Sequence, residues 1–212
     1  MRVTKQEHAA LIIQSADKVL VVDPGSFTTA LVGLNNVVAI VVTHEHPDHW
    51  TAEQLARIID RSPDAVIYGP PGVVAAASDF HVVVVEDGDS VVADPFTLRF
   101  FGSEHAVIHS SIPVIDNVGV LIDDTLYYPG DSFTIPEGVE VDTLAVPVGA
   151  PWLKIGDAMD FVTAVKPRRA FAVHEMTLST AGKAIGRDRL KWATEQGGGE
   201  FFTLEPGESL DL

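Results

Sequence analysis

The sequence predicts one domain over residues 1–212, built from mixed β-sheets and helices, with strands at both ends of the chain. Three observations carry this. Short apolar runs alternate with helical stretches along the whole length. No Pro/Gly/Ser linker, low-complexity tract or internal repeat divides the 212 residues, a length that leans toward a single core. Apolar residues make up 46 % and charged residues 21 %, the composition of a globular chain and not of an acidic disordered tail.

From the start, Ala9–Gln14 and Lys18–Val22 are apolar runs joined by Ser15-Ala16-Asp17, a hairpin that enters Asp23-Pro24-Gly25. Val37–Thr43 is a continuous β-branched run, as expected of a strand buried on both faces. Thr51 and Gln54 match a capping box, and Leu55, Ile58 and Ile59 make the apolar stripe of a helix ending before Pro63. Ala65–Tyr68 and His81–Val85 read as strands flanking a short helix that starts near Pro70-Pro71. Ser90–Ala93, Thr97–Phe101, Val118–Ile122 and Thr125–Tyr128 read as antiparallel strands, the last two joined by Asp123-Asp124. Asp157–Val165 is a helix stopped by Pro167, and Ala170–Val173 is a strand. A helix between Thr180 and Gln196 runs into Gly197-Gly198-Gly199, and Phe201–Leu204 and Ser209–Leu212 close the chain as short strands.

Composition then narrows the function. Lys plus Arg number 14 against 30 Asp plus Glu, a net charge of −16 that repels phosphate backbones, so no nucleic-acid partner is expected. The absence of cysteine excludes disulfides, thiolate metal sites, iron–sulfur clusters and a cysteine nucleophile. The N-terminal residues have no apolar h-region, and runs such as Val37–Val42 and Val82–Val85 are too short to span a bilayer. A cytoplasmic protein with no membrane partner is therefore expected. Against this background, eight histidines stand out.

Thr43-His44-Glu45-His46-Pro47-Asp48-His49 sets His44, His46 and His49 beside Asp48 directly after a buried strand. A loop leaving a strand end can aim alternate side chains into one space, whereas a helix scatters such neighbours around its circumference. Imidazole nitrogen and carboxylate oxygen are the first-row metal donors open to a cysteine-free chain. One loop does not close a metal cage. His105, Asp131 in Pro129-Gly130-Asp131-Ser132, and His174 each follow an apolar run, where a rigid scaffold presents functional groups.

With these residues the sequence resembles the metallo-β-lactamase fold superfamily. The resemblance runs through Asp23 in Asp-Pro-Gly, the His44/His46/Asp48/His49 motif, His105, Asp131 in Pro-Gly-Asp-Ser, and His174. Within that superfamily the chain looks most like small bacterial metal-dependent hydrolases related to the L-ascorbate-6-phosphate lactonase branch. The resemblance implies an α+β fold, a four-layer αββα sandwich of two mixed β-sheets flanked by helices, with the donor loops along one edge. It implies that His44, His46 and His105 hold one divalent metal, Asp48, His49 and His174 a second, and that Asp131 bridges them. Asp23 then orients the motif loop without ligating. Zinc or manganese suits these donors.

The expected activity is hydrolysis by a metal-bound hydroxide, with Asp48 and Asp131 as the catalytic carboxylates and Asp48 the candidate to pass a proton to the leaving group. Two divalent cations outweigh Asp48, Asp131 and a hydroxide in charge. The site thus favours a small ester, lactone or phosphoester with an anionic group, despite the acidic surface. His105, nearer its strand end, is preferred over His109 as the third ligand. His109 then lines the substrate pocket or sits on the surface. In the loop Pro147–Lys154, Trp152 and Lys154 are candidate substrate contacts, Lys154 for an anion. Trp50 narrows the cleft or packs under the following helix, and His8 and His81 read as ordinary strand histidines. The missing cysteine argues against antibiotic hydrolysis. Alternatives on the same fold are oxygen chemistry at a mononuclear iron held by His44, His46 and His105, a phosphodiesterase or nuclease, and a non-catalytic binding protein. A homo-oligomer is compatible with the composition.

Overall fold

The two halves of the chain each build one mixed sheet. The computed structural model describes residues 1–212. The first half supplies β1 (Arg2–Lys5), β2 (Leu11–Ser15), β3 (Lys18–Val22), β4 (Val37–Val41), β5 (Val66–Gly69) and β6 (Val82–Val84), with helices α1 (Ala52–Arg61) and α2 (Pro71–Ala76) between the later strands. The second supplies β7 (Ser90–Ala93), β8 (Phe96–Phe101), β9 (Gly119–Ile122), β10 (Leu126–Tyr128), β11 (Thr143–Pro147), β12 (Arg169–Val173) and β13 (Glu200–Phe202), with α3 (Ile155–Val165) and α4 (Thr180–Gln196). A last strand, β14 (Ser209–Asp211), crosses back to β1. The sheets are thus ordered β14-β1-β2-β3-β4-β5-β6 and β13-β12-β11-β10-β9-β8-β7. No helix is long and apolar enough to cross a membrane.

Alternation along the strands sorts side chains into three apolar layers. Leu20 and Val22 of β3 and Ala39 and Val41 of β4 face Phe96, Leu98 and Phe100 of β8 and Phe171 and Val173 of β12 between the sheets. Val19, Val21 and Ile40 point the other way, onto Leu55 and Ile58 of α1. Leu144 and Val146 of β11 and Ala170 and Ala172 of β12 turn outward onto Phe161 of α3 and Leu190 of α4. The result is the four-layer αββα sandwich that the resemblance implies. Each large apolar side chain buried in this way contributes about 1.5–3 kcal/mol before the entropy of ordering is charged against it.

Two departures from the sequence reading bear on the site. The box at α1 is half formed. Thr51 Oγ1 accepts the Gln54 N–H at 3.2 Å, but the Gln54 side chain turns away, accepting from Leu31 N–H and donating to the Thr28 carbonyl. It ties the preceding loop to the helix and leaves the reciprocal bond unmade. The sequence reading also lacks β1 and β11. All five residues of β11 are buried, and the strand pairs in parallel with β10 and β12 at the middle of its sheet.

Strand direction then gathers the loops. β1 is antiparallel to β2, β2 to β3, and β3 parallel to β4, so β1, β3 and β4 end at one edge. In the other sheet β8, β10, β11 and β12 share a direction in the same way. Val118 N–H donates to the Thr43 carbonyl at 3.0 Å and His174 N–H to the His8 carbonyl at 2.7 Å, joining the two sheets along that edge.

Candidate metal centre

The corner after β3 organises the motif loop. Asp23, with φ of 46°, turns its carboxylate back under the loop. Thr43 donates its N–H to Asp23 Oδ1 at 2.8 Å and its hydroxyl to Oδ2 at 2.7 Å. His49 Nδ1 donates to the same Oδ2 at 2.7 Å, so its Nε2 faces the opposite way. A Cβ at Gly25 would lie 1.8 Å from the Asp48 carbonyl oxygen, so only glycine lets the corner approach the loop this closely. His44 Nδ1 lies 3.1 Å from Thr43 Oγ1. Because that hydroxyl donates to Asp23, it accepts from His44 Nδ1–H, which leaves the His44 Nε2 lone pair free. One buried carboxylate therefore sets the tautomers of two histidines.

The second sheet supplies the facing donors by the same device. His105 donates Nδ1–H to the Ala106 carbonyl at 2.6 Å, and His174 donates to the Gly149 carbonyl at 2.7 Å. Hydrogen bonds of this kind fix ring orientation and raise donor basicity at Nε2. The Asp131 N–H donates to Asn117 Oδ1 at 3.0 Å, and Trp152 Nε1–H donates to Asp131 Oδ2 at 2.8 Å. Gly130, with φ of +66°, passes close to Asn117; a Cβ there would sit 2.3 Å from its Oδ1.

These side chains converge as three overlapping groups of donor atoms, each within 4.8 Å of one another. One is His44, His46 and His105, another His8, Asp48, His49 and His174, and a third, His44, His49 and Asp131, links these two sets. Asp131 Oδ1 is 3.4 Å from His49 Nε2 and 3.2 Å from His174 Nε2, and its Oδ2 is 3.5 Å from His105 Nε2. His44 Nε2, His105 Nε2 and Asp131 Oδ1 are among the buried polar atoms with no hydrogen-bond partner. Such atoms cost about 1–3 kcal/mol each when left unsatisfied. All three are imidazole nitrogen or carboxylate oxygen within the donor cluster, chemistry that fits a divalent cation. Asp48, 25 % exposed, and the half-buried His46 mark the open side.

The two sets differ in charge state. Burial, then the proximity of His49, holds His44 well below the usual imidazole range, and burial with neighbouring His105 lowers His46. Burial also opposes charge on His49 and His174, but carboxylates outweigh it. Asp131 and Asp23 raise His49, and Asp131 and Asp48 push His174 up to about 9. Burial would lift the Asp131 carboxyl, yet His49 and His174 hold it well below its ordinary value.

The structure thus brings together His44, His46, Asp48, His49, His105, Asp131 and His174, with Asp23 beneath them. Trp152 is at the site as well, braced against Asp131. His109 and Lys154 make their hydrogen bonds elsewhere. His109 is exposed and its Nδ1 pairs with Ser111, while Lys154 is exposed and lies 3.5 Å from Asp157. Trp50 is half-buried and packs against the core under α1, with its Nε1–H on the Glu45 carbonyl. His81 is exposed. His8 is the residue that sequence reasoning missed. It occupies the turn after β1, and its Nε2 lies 3.1 Å from Asp48 Oδ2. Recognising β1 as a strand would have found it, since β1 runs in the direction of β3 and ends at the same edge.

Comparison with known proteins finds relatives in sequence and in fold. The family described as Beta-lactamase superfamily domain matches residues 2–174. Protein Rv0786c of Mycobacterium tuberculosis is 36 % identical over 215 aligned positions, covering 99 % of this chain and 98 % of that protein. The fold is similar to that of Igni18, a metallo hydrolase from Ignicoccus hospitalis, with a TM-score of 0.75 at 16 % identity over 100 % of this chain and 98 % of that one. It is also similar to part of CmlA, a diiron β-hydroxylase from Streptomyces venezuelae, with a TM-score of 0.71 at 16 % identity, covering 100 % of this chain and 54 % of that one.

Proposed function

The chain belongs to the β-lactamase superfamily, and from that premise we propose that it is a two-metal hydrolase acting on a small ester, lactone or phosphoester. The position of Asp131 carries this reading. Its two oxygens face different donor sets, the arrangement expected of a carboxylate shared by two cations. His44, His46 and His105 would hold one cation, Asp48, His49 and His174 the other, with Asp131 between. Bound there, zinc or manganese would lower the pKa of water and take up charge developing on a substrate oxygen.

The chain's own groups do the rest. Asp23 holds His49 directly and His44 through Thr43, so both rings keep their Nε2 atoms inward without reorganisation. Trp152 keeps one oxygen of Asp131 turned to the His105 side. Asp48, on the open side, would accept a proton from an attacking water and return it to the leaving group. Two donor sets favour a two-metal centre over a mononuclear iron site.

Elemental analysis of the purified protein, paired with a turnover panel of esters, lactones and phosphodiesters, tests the reading. Two metal equivalents, turnover of at least one class, and loss of both metal and turnover in Asp131→Ala are expected. One iron per chain with no second metal, or full metal content in Asp131→Ala, overturns it.

A further inference from the structure

We propose that His8 is the positioning residue for Asp48, holding one carboxylate oxygen through its Nε2–H so that Asp48 stays turned toward His49 and His174. This rests on the two-metal reading above. His8 is 1 % exposed and is fixed from every side. The Met176 N–H donates to its Nδ1 at 3.3 Å, which makes Nδ1 an acceptor and puts the proton on Nε2. That Nε2 lies 3.1 Å from Asp48 Oδ2. The ring packs on His174 with centroids 3.8 Å apart and meets Phe27 edge-on at 4.9 Å. Its carbonyl accepts the His174 N–H. The backbone there has a φ of 58°, a sparsely populated conformation that persists where the surroundings dictate it.

The other donors show why Asp48 needs such a partner. His44, His49, His105 and His174 are each braced at Nδ1, and Asp131 is braced by Trp152. Asp48 is the one carboxylate of the centre that is part-exposed, at 25 %, where water competes for its oxygens. His49 Nε2 and His174 Nε2 stand 3.9 and 3.5 Å from its Oδ2, leaving His8 as its one hydrogen-bond partner at closer range. With its proton engaged on Asp48 and its other nitrogen on Met176, His8 supports a ligand and is not one itself.

Zinc stoichiometry and affinity by chelator competition test this without any assay of activity. His8→Phe keeps the ring and its packing but removes the donor, and His8→Gln returns an N–H at similar reach. Wild type is expected to take up two equivalents, His8→Phe to weaken one of them by about 10- to 100-fold and leave the other, and His8→Gln to recover most of the loss. Equal affinity in His8→Phe and wild type overturns the role of His8 and leaves the two-metal reading standing. A His8→Gln as weak as His8→Phe overturns it too. Uptake of a single equivalent by wild type overturns both. A second measurement needs no variant: nitrogen NMR of the wild-type imidazoles should place the His8 proton on Nε2, and a proton on Nδ1 overturns the proposal.

Discussion

His174 turns its ring into the metal centre, and the next residue, Glu175, turns its carboxylate the other way, toward Lys5 and Arg187, so that two buried polar clusters meet at one peptide bond. They obey opposite rules. Lys5 is fully buried, yet its Nζ donates to Glu175 Oε1 at 2.5 Å and to the Leu204 carbonyl at 2.9 Å. Arg187 Nε donates to Glu175 Oε2 at 3.0 Å, and its outer nitrogens reach Glu205. Each charge there meets its opposite within the chain. At the metal centre the donors converge and leave His44 Nε2, His105 Nε2 and Asp131 Oδ1 without a hydrogen-bond partner. The first cluster fastens β1 and α4 to the segment after β12; the second offers open donor atoms that could hold a cation. Burial of charge alone does not separate structural from functional groups, whereas the presence of unpaired atoms does.

The largest effect is expected on the closed cluster. Glu175→Ala leaves Lys5 buried without its carboxylate and should lower unfolding stability by about 3–5 kcal/mol in denaturant titrations, while the folded fraction keeps its full metal stoichiometry. Loss of metal without loss of stability would reverse the division between the clusters. Acid should separate them next. In the metal-free protein carboxylates raise His49 and push His174 up to about 9, and the two Nε2 atoms, 3.1 Å apart, share a proton that binding must displace, so affinity should fall about tenfold per pH unit below about pH 9. Burial raises the Glu175 carboxyl, but the Arg187 hydrogen bond and the Lys5 charge outweigh it and hold it low. Its contribution to stability is therefore complete above the unfolded carboxylate value of about 4.3 and is lost only as pH falls through the folded value. Metal should leave between pH 8 and 5 in a chain that stays folded, as followed by metal release alongside circular dichroism. Simultaneous loss would merge the two clusters into one unit. The smallest effect is expected for Trp152→Phe, which removes one hydrogen bond to Asp131 and should weaken metal binding by about 10- to 100-fold with little change in stability. Unchanged affinity would return Trp152 to the role of candidate substrate contact.

Much of the site was legible because its donors follow strands whose apolar runs are visible locally. His44 to His49 leave β4, Asp131 leaves β10 and His174 leaves β12 directly. The preference for His105 over His109 follows from closeness to the end of β8, and the structure turns His105 Nε2 inward. What escaped depends on distant partners. Lys5 looks like a surface lysine near a chain end until Glu175, 170 positions away, reaches it. His8 looks like an isolated strand histidine until Asp48 closes on it from 40 positions away. β11 lacks the alternation of a half-buried strand because both of its faces are covered. The outward course of Lys154 is set by Asp157 at the start of α3 and not by its own loop.

Three corners of the metal edge, His8, Asp23 and His174, have φ values of 58°, 46° and 57°, the region that glycine enters without penalty. A library of variants sorted for heat resistance alone would enrich glycine or asparagine there, since relief of backbone strain is rewarded and the lost imidazole or carboxylate is not. A library sorted for metal uptake would hold all three fixed. Selection for durability and selection for chemistry therefore pull on the same three codons in opposite directions.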